Sequence, residues 1–122
     1  MGMLDAAAAR VAAGATVELR PSGSSMAPLI RSRQLVTVAP VDPAKLEAGD
    51  IVLARVAGTV YLHLVSAVDQ ARKRVQISNN RGRVNGWTGH GRVFGICVSV
   101  DGVPRPGASG KTVAAGGHQP GR

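Results

Sequence analysis

Short runs of valine, isoleucine and leucine, separated by turns that contain glycine or proline, most constrain the fold of this chain. Such runs occur at 34–39, 51–56, 60–65 and 93–100. β-Branched side chains pack well on a pleated surface and lose rotamer freedom in helices, so these runs favour strands. The 16 Gly and 7 Pro residues can supply the turns between them. The sequence therefore predicts a small, mainly β domain.

Further segments complete the predicted order of elements. Residues 16–20 alternate polar and apolar side chains, which is typical of a half-buried strand. Residues 68–69 and 74–77 are predicted to pair as strands, residues 79–91 to form a loop, and the Ala-rich stretch 4–13 to form one short helix. The predicted organisation is an N-terminal helix within 1–15, a β domain over 16–103 and a disordered tail over 104–122.

The chain has a formal charge of +8, from 15 Lys and Arg residues against seven Asp and Glu residues. Such an excess suits a phosphate backbone or an acidic partner. Arg81, Arg83 and Arg92 flank Trp87 in a basic loop, which is interpreted either as a surface for an acidic peptide or nucleic acid, or as a solvated cationic face. The chain has one Trp, one Tyr and one Phe, so base stacking is poorly supported.

Several classes of site are excluded by the remaining side chains. The one cysteine, Cys97, lies in an apolar run and is expected to be a buried small hydrophobe. His63, His90 and His118 are far apart in sequence and no cysteine pair exists, so no metal and no cofactor are expected. No run approaches the ~20 apolar residues of a membrane span. We therefore expect no membrane span and a cytoplasmic location, whereas the oligomeric state stays unknown.

A loop rich in glycine and serine carries the candidate nucleophile. Gly23 lets the backbone turn and approach a substrate closely, and Met26 can anchor the loop in the core. Between them, Ser25 would present its hydroxyl, with Ser24 beside it and backbone N–H groups nearby to stabilise an oxyanion. On residue types alone, Ser25 could equally be an ordinary turn serine.

The order of the motifs strengthens the hypothesis. Gly-Ser-Ser-Met-Ala-Pro at 23–28 is followed by Ala-Gly-Asp-Ile-Val at 48–52, and a hairpin then leads to His63. This order resembles the superfamily of type I signal peptidases and LexA-like self-cleaving repressors, over about residues 16 to 100. The resemblance implies a β-rich fold of twisted antiparallel sheets with one short N-terminal helix, and a serine peptidase activity.

The resemblance also implies roles for individual residues. Ser25 matches the nucleophile, and His63 matches the general base of the histidine-type signal peptidases. The nucleophile loop would include Gly23, Ser24 and Met26, and Gly49 with Asp50 would form a structural turn. Asn80 and Asn85 are the candidates for orienting the imidazole. The other basic candidates, Lys45 and Lys73, do not lie in segments expected to be buried.

Three departures from that family pattern limit the prediction. The histidine-type enzymes carry an acidic residue in the late loop, whereas residues 79–91 contain no Asp or Glu. An asparagine cannot stabilise an imidazolium as a carboxylate does. Neither a membrane anchor nor room for a helix-turn-helix precedes Ser25, so we expect neither a housekeeping signal peptidase nor a complete DNA-binding repressor.

Three functions remain open from the sequence. The first is a serine endopeptidase that cleaves an extended peptide or protein substrate through a Ser25–His63 dyad, with a preference for a small residue implied by the resemblance. The second is a non-catalytic module of the same fold that binds a peptide or nucleic acid. The third is self-cleavage, at Ala13-Gly14 or at Ala115-Gly116 in the tail.

Overall fold

Eight strands join in one antiparallel sheet in residues 2–113, the part of the chain that the computed structural model describes. The strand order is β1-β2-β7-β3-β4-β5-β6, and β8 pairs with β7. The helix is α1 (Met3–Ala12). The strands are β1 (Val17–Leu19), β2 (Val36–Pro40), β3 (Ile51–Val56), β4 (Thr59–Asp69), β5 (Arg74–Ser78), β6 (Val84–Gly89), β7 (Val93–Val100) and β8 (Val103–Pro104).

Strand β3 lies at the centre of the sheet and is buried on both faces. Ile51 and Leu53 belong to a core that α1 covers. Val52 and Ala54 point to the opposite face and belong to a second core. Because successive side chains of a strand alternate between faces, a continuous apolar run is the pattern expected for such a strand.

The sheet curls so that β6 approaches β3, although the two strands are not neighbours in the strand order. The Thr88 hydroxyl on β6 donates a 2.6 Å hydrogen bond to the carbonyl of Arg55 on β3. Gly86 lies directly over Val56, whose methyl group would be 3.2 Å from an added Cβ. This curl brings the start of β6 to the face of the sheet on which His63 lies.

The prediction of a mainly β fold with one N-terminal helix is confirmed. The runs at 51–56 and 93–100 are strands over the whole of their predicted lengths. The predicted loop over 79–91 is wrong in part, because it contains β6 and the short 3-10 helix His90–Arg92. β6 combines Gly, Asn and Trp without apolar alternation, and its pairing with β5 rather than its composition makes it a strand.

The tail predicted from residue 104 also differs from the structure. Residues 104–113 pack against the domain through Ala108, which is 2% exposed, and through a bridge between Val41 and Thr112. A 3-10 helix, Ser109–Lys111, lies between those two contacts. The segment lacks periodicity because single contacts rather than a repeating apolar face hold it. Residues 114–122 of that prediction, including Ala115-Gly116, lie outside the described residues.

In residues 2–113, no helix has the length and apolar character that a membrane crossing requires.

The contact between α1 and β7 leads to a test of the packing. A Cβ added to Gly95 would lie 2.7 Å from the Ala39 carbonyl oxygen and 2.7 Å from a methyl group of Val11. Gly95→Ala should therefore lower the free energy of unfolding by about 1–3 kcal/mol, since backbone would have to move. Gly91→Ala is the matched control, because nothing lies within 4 Å of its added Cβ. Equal stability of the two variants in denaturant titrations would refute this account.

Candidate active site

Ser25 lies exposed in the loop between β1 and β2, which is held at both ends. Met26 is 5% exposed and anchors the loop in the core that α1 covers. Gly23 has a φ of +104°, a backbone conformation that side chains strongly disfavour. At the base of the loop, the Arg33 N–H donates a 2.7 Å hydrogen bond to the Pro21 carbonyl. The fold thus presents the Ser25 hydroxyl on a well-anchored turn.

His63 on β4 meets this serine, although 38 positions separate them in the sequence. Its Nε2 atom lies 3.2 Å from Oγ of Ser25. The imidazole is 8% exposed and stacks on the ring of Tyr61, with the ring centroids 4.9 Å apart. The structure therefore brings together the two residues that the sequence indicated as nucleophile and base.

Asn85 on β6 holds the other side of the imidazole. Its Oδ1 atom lies 2.7 Å from Nδ1 of His63. Because an amide oxygen only accepts hydrogen bonds, Nδ1 carries the proton and donates it. Nε2 of the neutral ring is then left as an acceptor for the Ser25 hydroxyl, which is the tautomer that a general base needs.

Burial sets the protonation state of His63. Removal of the imidazole from water lowers the pKa of His63 below its ordinary value, and the hydrogen bond with Asn85 raises that pKa by less. The net shift of the pKa is downward. At neutral pH the ring is therefore neutral and able to accept a proton.

Asn80 contacts the nucleophile loop and not the imidazole. Its backbone N–H donates to the Ser25 carbonyl at 2.8 Å, and its side-chain Nδ2 donates to the Ala27 carbonyl at 3.0 Å. Arg81 adds a bond from Nε to the Ser24 carbonyl at 3.1 Å. The carbonyl groups that accept these three bonds belong to Ser24, Ser25 and Ala27, so the loop is held on both sides of the nucleophile. Of the two predicted orienting residues, Asn85 alone bonds His63, while Asn80 holds the loop that carries Ser25.

The Gly49–Asp50 turn fixes the strand on which His63 lies. The Val65 N–H donates to the Asp50 carbonyl at 2.8 Å, and the Gly49 N–H donates to the Val65 carbonyl at 2.9 Å. Val65 is two residues beyond His63 on β4. The turn therefore pins β4 close to the imidazole.

Lys111 also acts on this turn, although the sequence placed it in a disordered tail and gave no sign of the contact. Its Nζ atom lies 2.7 Å from Oδ2 of Asp50, whose side chain is nearly buried, and 2.9 Å from Oε1 of Glu47. Partial burial lowers the pKa of Lys111, but its hydrogen bonds and ion pairs with Asp50 and Glu47 outweigh that effect and raise the pKa. Lys111 is therefore a charged residue that stabilises the turn through its ion pairs, and it is not a neutral base.

The remaining candidates do not compete with His63. Lys45 lies in the 3-10 helix Pro43–Lys45 and Lys73 in the turn between β4 and β5, and both are exposed. Cys97 is buried, and burial raises the pKa of its thiol to about 11. Within residues 2–113, no group of three or more His, Cys, Asp or Glu side chains could hold a metal ion.

A small open cleft runs beside Ser25 and His63. Its apolar walls come from α1, the nucleophile loop and β4, through Leu4, Ile30 and Tyr61 among others. A cleft that combines apolar walls with two polar reactive groups is typical of a substrate site.

The Peptidase S24-like family model matches residues 3–84, which are 82 of the 122 residues. The matched region contains Ser25 and His63 and ends immediately before Asn85. No curated protein and no solved structure matches the chain.

The contacts of His63 predict how its pKa responds to substitution. Asn85→Ala should lower the pKa of His63 further, because the hydrogen bond that favours the imidazolium is lost. Asn85→Asp should raise it, because a carboxylate stabilises the imidazolium. Titration of the imidazole C–H signals by NMR measures both shifts, with the denatured protein as the unperturbed reference. Identical titration curves for the three proteins would exclude the contact between Asn85 and His63.

Proposed function

The chain belongs to the Peptidase S24-like family, and on that premise we propose that it is a serine endopeptidase with Ser25 as nucleophile and His63 as general base. The observation that carries the proposal is the 3.2 Å contact between Oγ of Ser25 and Nε2 of His63. Exposure of Ser25 and burial of His63 support it, since the nucleophile must meet a substrate and the base must be neutral.

In the acylation step, Nε2 of His63 removes the proton from Oγ of Ser25 as Oγ attacks the scissile carbonyl carbon. The carbonyl electron pair moves to oxygen and returns as the C–N bond breaks. His63 gives its proton to the leaving amine, so an acyl-enzyme and a free amino terminus result. Water then attacks the acyl carbon while Nε2 of His63 accepts its proton. As the ester C–O bond breaks, His63 gives that proton to Oγ of Ser25, and the carboxylic acid product leaves and loses its proton to solvent.

Asn85 acts on this reaction through His63. Its carbonyl oxygen fixes the tautomer with the proton on Nδ1 and orients the ring toward Ser25. A neutral amide gives the imidazolium less stabilisation than a carboxylate does. In the described part of the chain, the far side of the imidazole is thus held by Asn85 and by no charged partner.

The substrate in this proposal is an extended peptide. Among residues 2–113, β1 is an outer strand of the sheet and pairs only with β2, so we propose that its other edge accepts the substrate as a further strand. The family resemblance supports a small residue beside the cleaved bond. The non-catalytic module, which the absence of an acidic residue from 79–91 had suggested, is not favoured. It would require Ser25 and His63 to lie beyond hydrogen-bond distance, whereas Oγ and Nε2 are 3.2 Å apart. Self-cleavage at Ala13-Gly14 is not favoured either, since these residues cap α1 through bonds such as Gly14 N–H to the Val11 carbonyl.

Covalent labelling tests the nucleophile. A fluorophosphonate probe should label the native protein once, and Ser25→Ala should abolish that labelling. His63→Ala should slow labelling by about 10²–10⁴-fold, because the serine hydroxyl loses its base. Ser109→Ala is the control, since Ser109 is exposed in the 3-10 helix Ser109–Lys111 and does not line the cleft. Intact-mass spectrometry gives the readout, and undiminished labelling of Ser25→Ala would eliminate the proposal.

The pH dependence of labelling follows from the lowered pKa of His63. The rate should stay constant through neutral pH and fall only as the pH drops through that lowered pKa, where the imidazole takes up a proton. Asn85→Asp should move the midpoint of this fall to higher pH. Labelling reactions quenched at a series of times and pH values give the rate at each pH, and so the pH at which the rate is half of its plateau. A midpoint unaffected by Asn85→Asp would remove His63 as the base.

A further inference from the structure

Charge is distributed unevenly around the nucleophile. The segments 20–34 and 79–92 contain no Asp or Glu. Six arginines lie in these two segments: Arg20, Arg31, Arg33, Arg81, Arg83 and Arg92. The charge excess of the chain is therefore concentrated in the two segments that build and brace the loop of Ser25.

The two segments meet at Ser25 itself. Asn80 and Arg81 bond the carbonyls of Ser25 and Ser24. On the other side of the loop, the Arg20 guanidinium bonds the Arg33 carbonyl at 3.0 Å. Five of the six arginines therefore lie in this loop or in the turn that braces it, whereas Arg92 lies beyond β6 in the 3-10 helix His90–Arg92. We call Arg20, Arg31, Arg33, Arg81 and Arg83 the arginine rim.

The side chains of the arginine rim are exposed, and carboxylates of the described residues neutralise little of their charge. Within residues 2–113 the ion pairs are Arg74 with Asp69, and Lys111 with Glu47 and Asp50, and none involves the rim. The pKa of the Asp101 carboxyl is lowered mainly by hydrogen bonds with Leu35 and Gln34. The positive charge of Arg20 makes a smaller contribution to the same shift. The other four rim arginines have no carboxylate within 4 Å in the described part of the chain.

We propose that the substrate is an acidic peptide segment, with Asp or Glu residues flanking the bond that Ser25 attacks. This inference rests on the proposed function, because it assumes that the cleft beside Ser25 receives a peptide. Among residues 2–113, no arginine lines the cleft itself, but exposed guanidinium groups on and beside the loop of Ser25 attract carboxylates and raise the rate of encounter with an acidic chain. The rim would position the segment, while the apolar walls of the cleft hold the residue next to the cleaved bond.

A peptide fits this surface better than a nucleic acid does. Bases need exposed aromatic rings to stack on, and the two rim segments contain one, Trp87. The guanidinium of Arg74 lies 4.7 Å from the centre of that ring and covers one of its faces. Binding of a carboxylate needs no aromatic ring, because its two oxygens match the fork of donors on one guanidinium.

Binding to the Ser25→Ala protein tests the proposal without requiring catalysis. Two fluorescein-labelled peptides of equal length carry Ala-Ala at the centre and differ only in the flanking positions, which are Asp and Glu in one and Asn and Gln in the other. Fluorescence anisotropy should show at least about tenfold tighter binding of the acidic peptide at about 0.01 M salt, with the difference shrinking at about 0.15 M.

A matched pair of triple variants locates the effect. Arg31→Gln with Arg33→Gln and Arg83→Gln should remove the preference for the acidic peptide. Arg10→Gln with Arg72→Gln and Arg92→Gln changes the net charge equally, at exposed positions outside the rim, and should retain it. Arg81 is left intact in both because it also bonds the nucleophile loop.

Each other outcome overturns the proposal. Equal affinity for the two peptides, absence of binding to both, or equal loss in the two triple variants would show that the rim does not select an acidic substrate. Rim-dependent binding of a single-stranded oligonucleotide as tight as that of the acidic peptide would assign the rim to nucleic acid instead. Fluorophosphonate labelling of the native protein tests Ser25 separately, so failure of the proposed catalysis is distinguishable from failure of the rim.

Discussion

The register between β3 and β4 is the constraint on which the candidate site depends. Val52 pairs with His63, and a slip of one residue would move the imidazole to the opposite face, away from Ser25. Burial of β3 on both faces and the bonds of the Gly49–Asp50 turn with Val65 fix this register. Lys111 neutralises the nearly buried carboxylate of that turn, so a segment remote from the cleft helps to position the base.

The strands that could be predicted from the sequence are those in which buried apolar side chains follow one another along the chain. β3 and β7 were predicted at their observed bounds because apolar side chains fill them almost without interruption. β6 was not predicted, since it becomes a strand by pairing with β5 and by curling toward β3. The packing of residues 104–113 was missed for a similar reason, because it rests on isolated contacts such as the burial of Ala108.

The residues of the candidate site could be predicted from the sequence, whereas the contacts between them could be predicted only in part. The order of the serine loop, the Gly-Asp turn and the histidine along the chain was enough to indicate Ser25 and His63. The choice between Asn80 and Asn85 could not be made from that order, because it depends on the curl that brings β6 under His63. Asn85 then bonds the imidazole, whereas Asn80, five residues earlier, braces the nucleophile loop.

The neutral Asn85 and the arginine rim both bear on the charge that develops at His63 in the proposed chemistry. Burial disfavours the imidazolium, and Asn85 stabilises it without bringing a charge. An acidic substrate would neutralise part of the rim when it binds and would add negative charge close to His63. The bound substrate would then supply part of the electrostatic stabilisation that a carboxylate at position 85 would otherwise give. On this view the neutral asparagine and the cationic rim are two parts of one arrangement, in which the imidazolium is better stabilised after the substrate has bound than before.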